Sequence, residues 1–229
     1  MDADNLSKEI LSTISTKSVW KRDVFELTKE KFAELKAVLE AEVEGWAAEM
    51  KEIDERLEIT YRDTGSYYAQ ATVAGDILIF TMHTNVFRFP EDSIYRRSSY
   101  IKDDPNRAFC GVISVYNFLA DSFRFNRDED TGYLLARIFV NRENHFVMEG
   151  KKELNALFSD FQQQQFTAEH MRMVILAIVR NSLQFDLYMP HYASVQEISV
   201  RSATELKDAI SLKTGKRLGY QFNSEFDAE

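Results

Sequence analysis

Residues 23–57 read DVFELTKEKFAELKAVLEAEVEGWAAEMKEIDERL, and residues 57–84 read LEITYRDTGSYYAQATVAGDILIFTMHT. The join between these two stretches decides the fold class. In the first, Phe25, Phe32, Leu35, Leu39, Val43, Trp46, Met50, Ile53 and Leu57 recur at spacings of 7, 3, 4, 4, 3, 4, 3 and 4. That is the period of one helix face. The residues between them are rich in Glu, Lys and Ala, which favour helix, and include no proline. A helix from Asp23 to Leu57 would run ~50 Å at 1.5 Å per residue. A compact chain of this length has a diameter of roughly 45 Å. Such a helix either crosses the whole domain as a spine or overhangs it. In the second stretch Tyr, Thr, Ile, Val and Phe take over. Leu57–Arg62, Ser66–Val73 and Ile77–Thr84 read as three strands joined by tight turns at Asp63-Thr64-Gly65 and Ala74-Gly75-Asp76.

Upstream, residues 4–15 predict a short helix with Leu6, Ile10, Leu11 and Ile14 apolar, separated from the long helix by the Lys17–Arg22 stretch. Gly45, inside the long helix, predicts either a slight kink or the close approach of another backbone. Downstream, Asn85–Phe89 either prolongs the third strand or pairs separately. Residues 90–108 form the longest irregular stretch, and loops of this length are often functional. Phe109–Phe118 and Ser122–Asn126 return to strand character, and Gly132–Val140 with His145–Glu149 predict a hairpin turning at 141–144. Helices resume at Lys152, with Leu154, Leu157, Phe158 and Phe161 as an amphipathic set. Thr167 is the expected N-cap of a helix bearing Met171, Val174, Ile175, Ile178 and Val179, bounded by Pro190. Val195–Val200 reads as a strand, and Ser202-Ala203-Thr204-Glu205 as a capping box opening a helix through Leu212.

Segregated runs of this kind predict an α+β fold: a long N-terminal helix packed on a mainly antiparallel meander sheet, followed by C-terminal helices. No internal repeat or linker divides the chain, so residues 1–218 are expected to form one domain. Residues 219–229 form an acidic aromatic tail with Tyr220, Phe222 and Phe226.

Composition narrows the function. The 229 residues carry a net charge of −9, and residues 1–58 alone hold nine basic against fifteen acidic side chains. An acidic surface repels phosphate backbones, which disfavours non-specific binding to nucleic acid or anionic membranes. The single cysteine, Cys110, permits no intramolecular disulfide and fits a reducing compartment. It precedes Gly111 in an apolar strand and reads as a buried, inert thiol. The first twenty residues lack the basic start and apolar block of a secretory signal. No run approaches the ~18 apolar residues of a membrane span. A cytoplasmic protein is expected.

The strong catalytic and cofactor motifs are missing. There is no GxGxxG, no phosphate-binding loop, no GxSxG elbow, no HExxH and no paired CxxC. No cofactor is therefore expected. Two weaker constellations remain. Asp130 precedes the predicted hairpin and Glu149-Gly150-Lys151 ends it. An acid and a Glu-x-Lys at one end of a hairpin can hold Mg²⁺ and orient an attacking water. The pattern resembles metal-dependent nucleases of the PD-(D/E)xK type, although Glu129 stands where that family has proline. The resemblance implies catalytic roles for Asp130, Glu149 and Lys151. A turn at Asp130 and a helix entry at Lys151 explain the same residues structurally. Glu143, His145 and Glu149 also share one face of an extended segment. That is a metal arrangement in principle and a cross-strand polar surface by the more ordinary reading.

The second constellation is Tyr95-Arg96-Arg97-Ser98-Ser99-Tyr100. Two guanidinium groups beside hydroxyls and rings suit phosphate, carboxylate or protein recognition. The ordinary alternative pairs these arginines with nearby carboxylates on the long helix or at Asp103 and Asp104. The leading expectation is a non-catalytic binding or assembly protein using Tyr95, Arg96, Arg97 and Tyr100. It would take a small-molecule ligand, a second copy or another protein through the long helix or the tail. A Mg-dependent nuclease or hydrolase is the alternative.

Overall fold

The computed structural model describes residues 2–204, except 129, 151, 186–188, 190 and 202. The acidic aromatic tail at 219–229, the helix from Glu205 to Leu212 and the bound at Pro190 lie outside the described residues.

The chain begins with one continuous helical rod. Helix α1 (Ala3–Thr13) passes through a single π turn, Ile14–Ser18, into α2 (Val19–Ile53). The expected separation at Lys17–Arg22 does not occur. Its cause is visible in the hydroxyls: Thr13 donates to the Glu9 carbonyl, while Ser15 and Thr16 both donate to that of Ser12. Such back-bonding competes for helix carbonyls and loosens a turn without ending it. The rod stops at Ile53, four residues earlier than expected. There Asp54 leaves helical geometry, and Ile53 and Leu57 are exposed. From Ala3 to Ile53 the rod is ~75 Å long at 1.5 Å per residue.

Seven strands form one antiparallel sheet: β1 (Ile59–Asp63), β2 (Tyr68–Val73), β3 (Asp76–Met82), β4 (Phe87–Arg88), β5 (Phe109–Leu119), β6 (Tyr133–Asn141) and β7 (Phe146–Gly150). The order is β1-β2-β3-β5-β6-β7, and β4 pairs separately with the first residues of β5. The meander is thus the expected one, and both predicted hairpin turns hold. Val73 pairs with Asp76 across a two-residue turn in which Ala74 takes a positive φ of 54°. A bulge at Leu135 shifts the β5–β6 register between Val115 and Tyr116. The free edge of β7 is covered by the 158–166 segment, whose Phe158 and Gln164 carbonyls accept from Met148 and Phe146.

One sheet face is buried by α2 and α6 (Ala168–Leu183). Val24, Thr28, Phe32, Leu35, Leu39 and Val43 of α2 are all buried. They meet Leu78, Phe80, Ile113, Val115, Ile138 and Met148, with Met171, Val174, Ile175 and Ile178 of α6. Thr167 caps α6 as expected by accepting from the His170 amide. α2 runs obliquely: Lys21 lies over Phe109 at the start of β5, and Lys36 reaches Asp63 at the end of β1, 2.6 Å away. Where it crosses β5, a Cβ on Gly111 would lie 2.1 Å from the Thr28 hydroxyl oxygen. Only glycine permits this crossing.

Two predicted strands are helical turns. Residues 122–124 belong to α4 (Ala120–Arg124) and 125–126 to the turn that ends it; Phe123 packs edge-on against Phe118 and Ser122 is buried. The alternation of Phe123 and Phe125 imitated a strand period. Likewise α7 (Tyr192–Val195) and a helical turn at Val200 and Arg201 stand where 195–200 was expected to extend. The helix at residue 152 is short, α5 (Lys152–Leu157).

Gly45 shows neither expected feature. It is exposed within unbroken helix, and nothing lies within 4 Å of a Cβ placed on it. Gly45→Ala should therefore stabilise by ~0.5–1 kcal/mol. Gly111→Ala should destabilise by about 1–3 kcal/mol, because Thr28 and the backbone beneath it must part. Urea unfolding of the two variants checks both signs; equal midpoints would refute the assigned crossing.

Candidate functional site

The irregular stretch is built from short capped turns. Ser93 caps a 3₁₀ turn (Ile94–Arg97), Ser98 caps α3 (Ser99–Asp103), and Asp104 caps a second 3₁₀ turn at Pro105–Ala108. These turns lay Phe89, Tyr95, Tyr100 and Ile101 over Cys110, Val112, Phe139 and Val147 on the second sheet face, with Phe161 closing the cluster. Phe89 is the hub: its ring centre lies 4.9 Å from Tyr95, 5.1 Å from Phe139 and 5.8 Å from Phe161. Cys110 is buried here, and burial raises its thiol pKa well above the ordinary value.

Tyr95 and Tyr100 are thus core residues, each 6% exposed, and present no recognition surface. Arg96 pairs with Glu91 within the same loop, rather than with the long helix or Asp103 and Asp104. Arg97 is exposed. The stretch is a cap on the sheet.

The best-organised polar group lies at the β6–β7 turn. Asn141 is buried, and its side-chain oxygen accepts from the Glu143 and His145 amides, both at 3.0 Å. Its side-chain amide donates to the Tyr100 hydroxyl at 2.8 Å, which donates onward to Glu143 at 2.7 Å. Arg107 stands 4.4 Å above the Tyr100 ring and pairs with Glu143 at 2.9 Å. His145 stacks on the other side of that ring, and its Nδ1 lies 3.1 Å from the Phe161 carbonyl. Burial alone would raise the Glu143 carboxyl. The Tyr100 hydroxyl and Arg107 outweigh it and hold the group below its ordinary 4.5. Burial pushes the Tyr100 phenol well above its usual value.

The residues of the nuclease-like pattern have separate partners. Asp130 accepts from Ser122 at 2.6 Å and pairs with Arg127 at 2.9 Å, in the loop before β6. Glu149 sits opposite Arg137 in the β6–β7 register and pairs with it. Lys151 lies outside the described residues. Asp130 is seven positions from Arg137 along the chain, so the register does not set it beside Glu149. Among the described residues no three His, Cys, Asp or Glu side chains gather closely enough to hold a metal ion.

What remains without cover is the first part of the rod. Every residue from Asp2 to Val19 is exposed, including Leu6, Ile10, Leu11, Ile14 and Val19, and α1 buries none of its side chains. Leu6, Ile10 and Ile14 repeat every four residues and share a face with Leu11. The rod therefore does both things its length allowed: residues after Trp20 form a spine, and those before it project by ~25 Å. The sequence displayed these apolar residues, but not the continuity that carries them clear of the body.

The root of the projection is clamped. Arg142 lies 4.3 Å over the Trp20 ring and pairs with Asp23 at 3.0 Å. Lys21 and Arg88 both stand over the Phe109 ring, at 5.4 and 5.6 Å. The other half of the capped sheet face is half-buried, with Ile79 buried and Leu134 and Arg137 exposed. There Gln70, Ile79, Tyr116 and Leu134 form one cross-strand row beside Tyr68, Thr81, Ser114 and Arg137. Two shallow grooves, about 420 and 400 Å³, border α2: the first is lined by Glu26, Lys29, Glu30 and Lys36, the second by Ala47 and Lys51 with Leu57 and Ile59 before and in β1.

No helix among the described residues is long and apolar enough to cross a membrane. Compared with models of known families, with characterised proteins and with solved structures, the chain matches none.

Because the folded-state pKa of Glu143 is depressed, its contribution to stability is complete above the ordinary 4.5 and is lost as pH falls through the folded value. In urea, Glu143→Gln should be less stable than the parent at about pH 7, and the difference should close by about pH 2.5. A difference that persists in acid would show that charge at Glu143 is not what ties the cap to the turn.

Proposed function

We propose that this protein is a non-catalytic assembly module whose partner-binding surface is the projecting helix, residues 2–19. One observation carries the reading: a row of Leu6, Ile10, Leu11 and Ile14, each 42–62% exposed, on a helix that buries none of its side chains. Apolar rows at helical spacing are the common currency of helix-in-groove and helix-on-helix recognition. The clamp of Trp20 and Asp23 by Arg142 supports it, since a rigid root presents the row in one direction and lowers the ordering cost of binding. Among the described residues no helix is long and apolar enough to cross a membrane, and the net charge of −9 disfavours an anionic lipid surface, which favours a protein partner over a lipid one. The single buried cysteine suits a reducing, cytoplasmic setting.

Ile10→Ser with Ile14→Ser should leave the thermal midpoint within ~2 °C, as substitutions outside the packed body do. The same variant should lose the partner mass seen when the parent is examined by native mass spectrometry. A fall in midpoint beyond ~5 °C would mean that the row serves the fold, and an unchanged assembly mass would remove the helix as the binding surface.

A further inference from the structure

The charges on the projection point to what covers it. Its tip carries Asp2 and Asp4. Its root carries Lys17, Lys21 and Arg22. The body adds Arg88 and Arg142 at the same place, since Lys21 shares the Phe109 ring with Arg88 and Trp20 lies under Arg142. Arg22, Arg88 and Arg142 pair with Glu26, Glu91 and Asp23, so the excess positive charge rests on Lys17 and Lys21. In a chain of net charge −9, the root is a local basic collar and the tip is acidic. The apolar residues lie between the two, with Ile10, Leu11 and Ile14 near the midpoint of the exposed length.

Resting on the reading that this helix is the partner surface, we infer that the partner is a second copy of the same chain, paired antiparallel along residues 2–22. An antiparallel copy sets Ile10 against Ile14 on both sides of the two-fold axis and brings each acidic tip to the other copy's basic collar. A parallel copy would set tip on tip and collar on collar, where like charges repel. The lengths also agree. With the axis at Ser12, Asp2 of one helix lies opposite Arg22 of the other, two residues before Val24, where α2 first becomes buried by its own body. The two bodies then stand at opposite ends of the seam and do not collide. Such an interface is isologous and closes at two copies. A seam of about five turns is small, so the pair should exchange at micromolar concentration.

The test uses the full chain with the tip reversed (Asp2→Lys with Asp4→Lys) or the collar reversed (Lys17→Glu with Lys21→Glu). Sedimentation velocity from about 1 to 100 μM should show two-chain particles for the parent. Each reversed variant should dissociate with a Kd weakened at least ~tenfold, and an equimolar mixture of the two variants should restore the two-chain particle, because each tip then meets an opposite collar. A parent that remains a single chain at 100 μM, or a mixture that fails to reassociate, overturns the pairing. A photo-crosslinking residue at Ile14 in the protein's native cells separates that failure from failure of the underlying reading. An adduct of twice the chain mass supports self-pairing. An adduct with a different protein overturns self-pairing and leaves the helix as a partner surface. No adduct removes both.

Discussion

Thr28 resting directly on Gly111 is the contact on which the architecture depends. At this point only the Thr28 side chain separates the long helix from the sheet backbone, and its hydroxyl is turned back onto the Val24 carbonyl, 2.7 Å away, so that no polar group is stranded in the contact. A crossing fixed at one end and tied at the other by Lys36 to Asp63 has its direction set. The helix then leaves the body at the corner where β5 begins and β6 ends. Its buried residues from Val24 to Val43 cover one flank of the sheet, and α6 fills the space beside it. The same crossing decides which residues remain outside: everything before Trp20 has passed the last strand that could cover it.

The turn between β6 and β7 joins the three layers. Asn141 organises the turn through two accepted amides and anchors the cap through Tyr100. Arg142, next along, reaches the helix at Trp20 and Asp23, while Glu143 reaches back to Arg107 and Tyr100. Tyr100, Asn141, Glu143 and Arg107 each meet a partner here, which is what allows the cluster to add rigidity. Such a cluster has the residue types of an active site. Neither of the grooves that border α2 reaches it. Its geometry is that of a junction.

How much of this was legible depended on period. The stripe of Phe32, Leu35, Leu39 and Val43 announced the spine, and the strands of the meander followed from alternation and turn residues, as did the cap of α6 at Thr167. Local signals failed where a short segment had too few residues to show a period. Phe123 and Phe125 alternate like a strand within a single turn of helix. Tyr95 and Tyr100 sit among arginines and serines in a stretch without periodicity, and only the fold shows that three capped turns direct both rings inward. The caps, Ser93, Ser98 and Asp104, open turns too short to show the apolar period that marks a helix start, so the sequence alone does not single them out. Asp130 and Glu149 looked like neighbours because both flank one hairpin. The pairing of Glu149 with Arg137 and of Asp130 with Arg127 depends on a strand register that the sequence did not specify.

The projecting helix raises a separate question of why it is helical and why it is apolar, and the two have different answers. A free helix of this length is marginal in water because nucleation is costly. Here α2 has already met that cost, and α1 only propagates from it through the π turn. Helicity therefore needs no apolar side chains, and propensity does not call for them either: Lys, Glu or Gln would extend the rod as well as Leu and better than Ile at positions 6, 10, 11 and 14. Within the described body nothing packs on these four residues, so folding of the body does not call for them. Leaving them in water forgoes the ~25 cal/mol per Å² that burial would return. Among the interactions available to a helix in this position, contact with another surface is the one that makes use of that row.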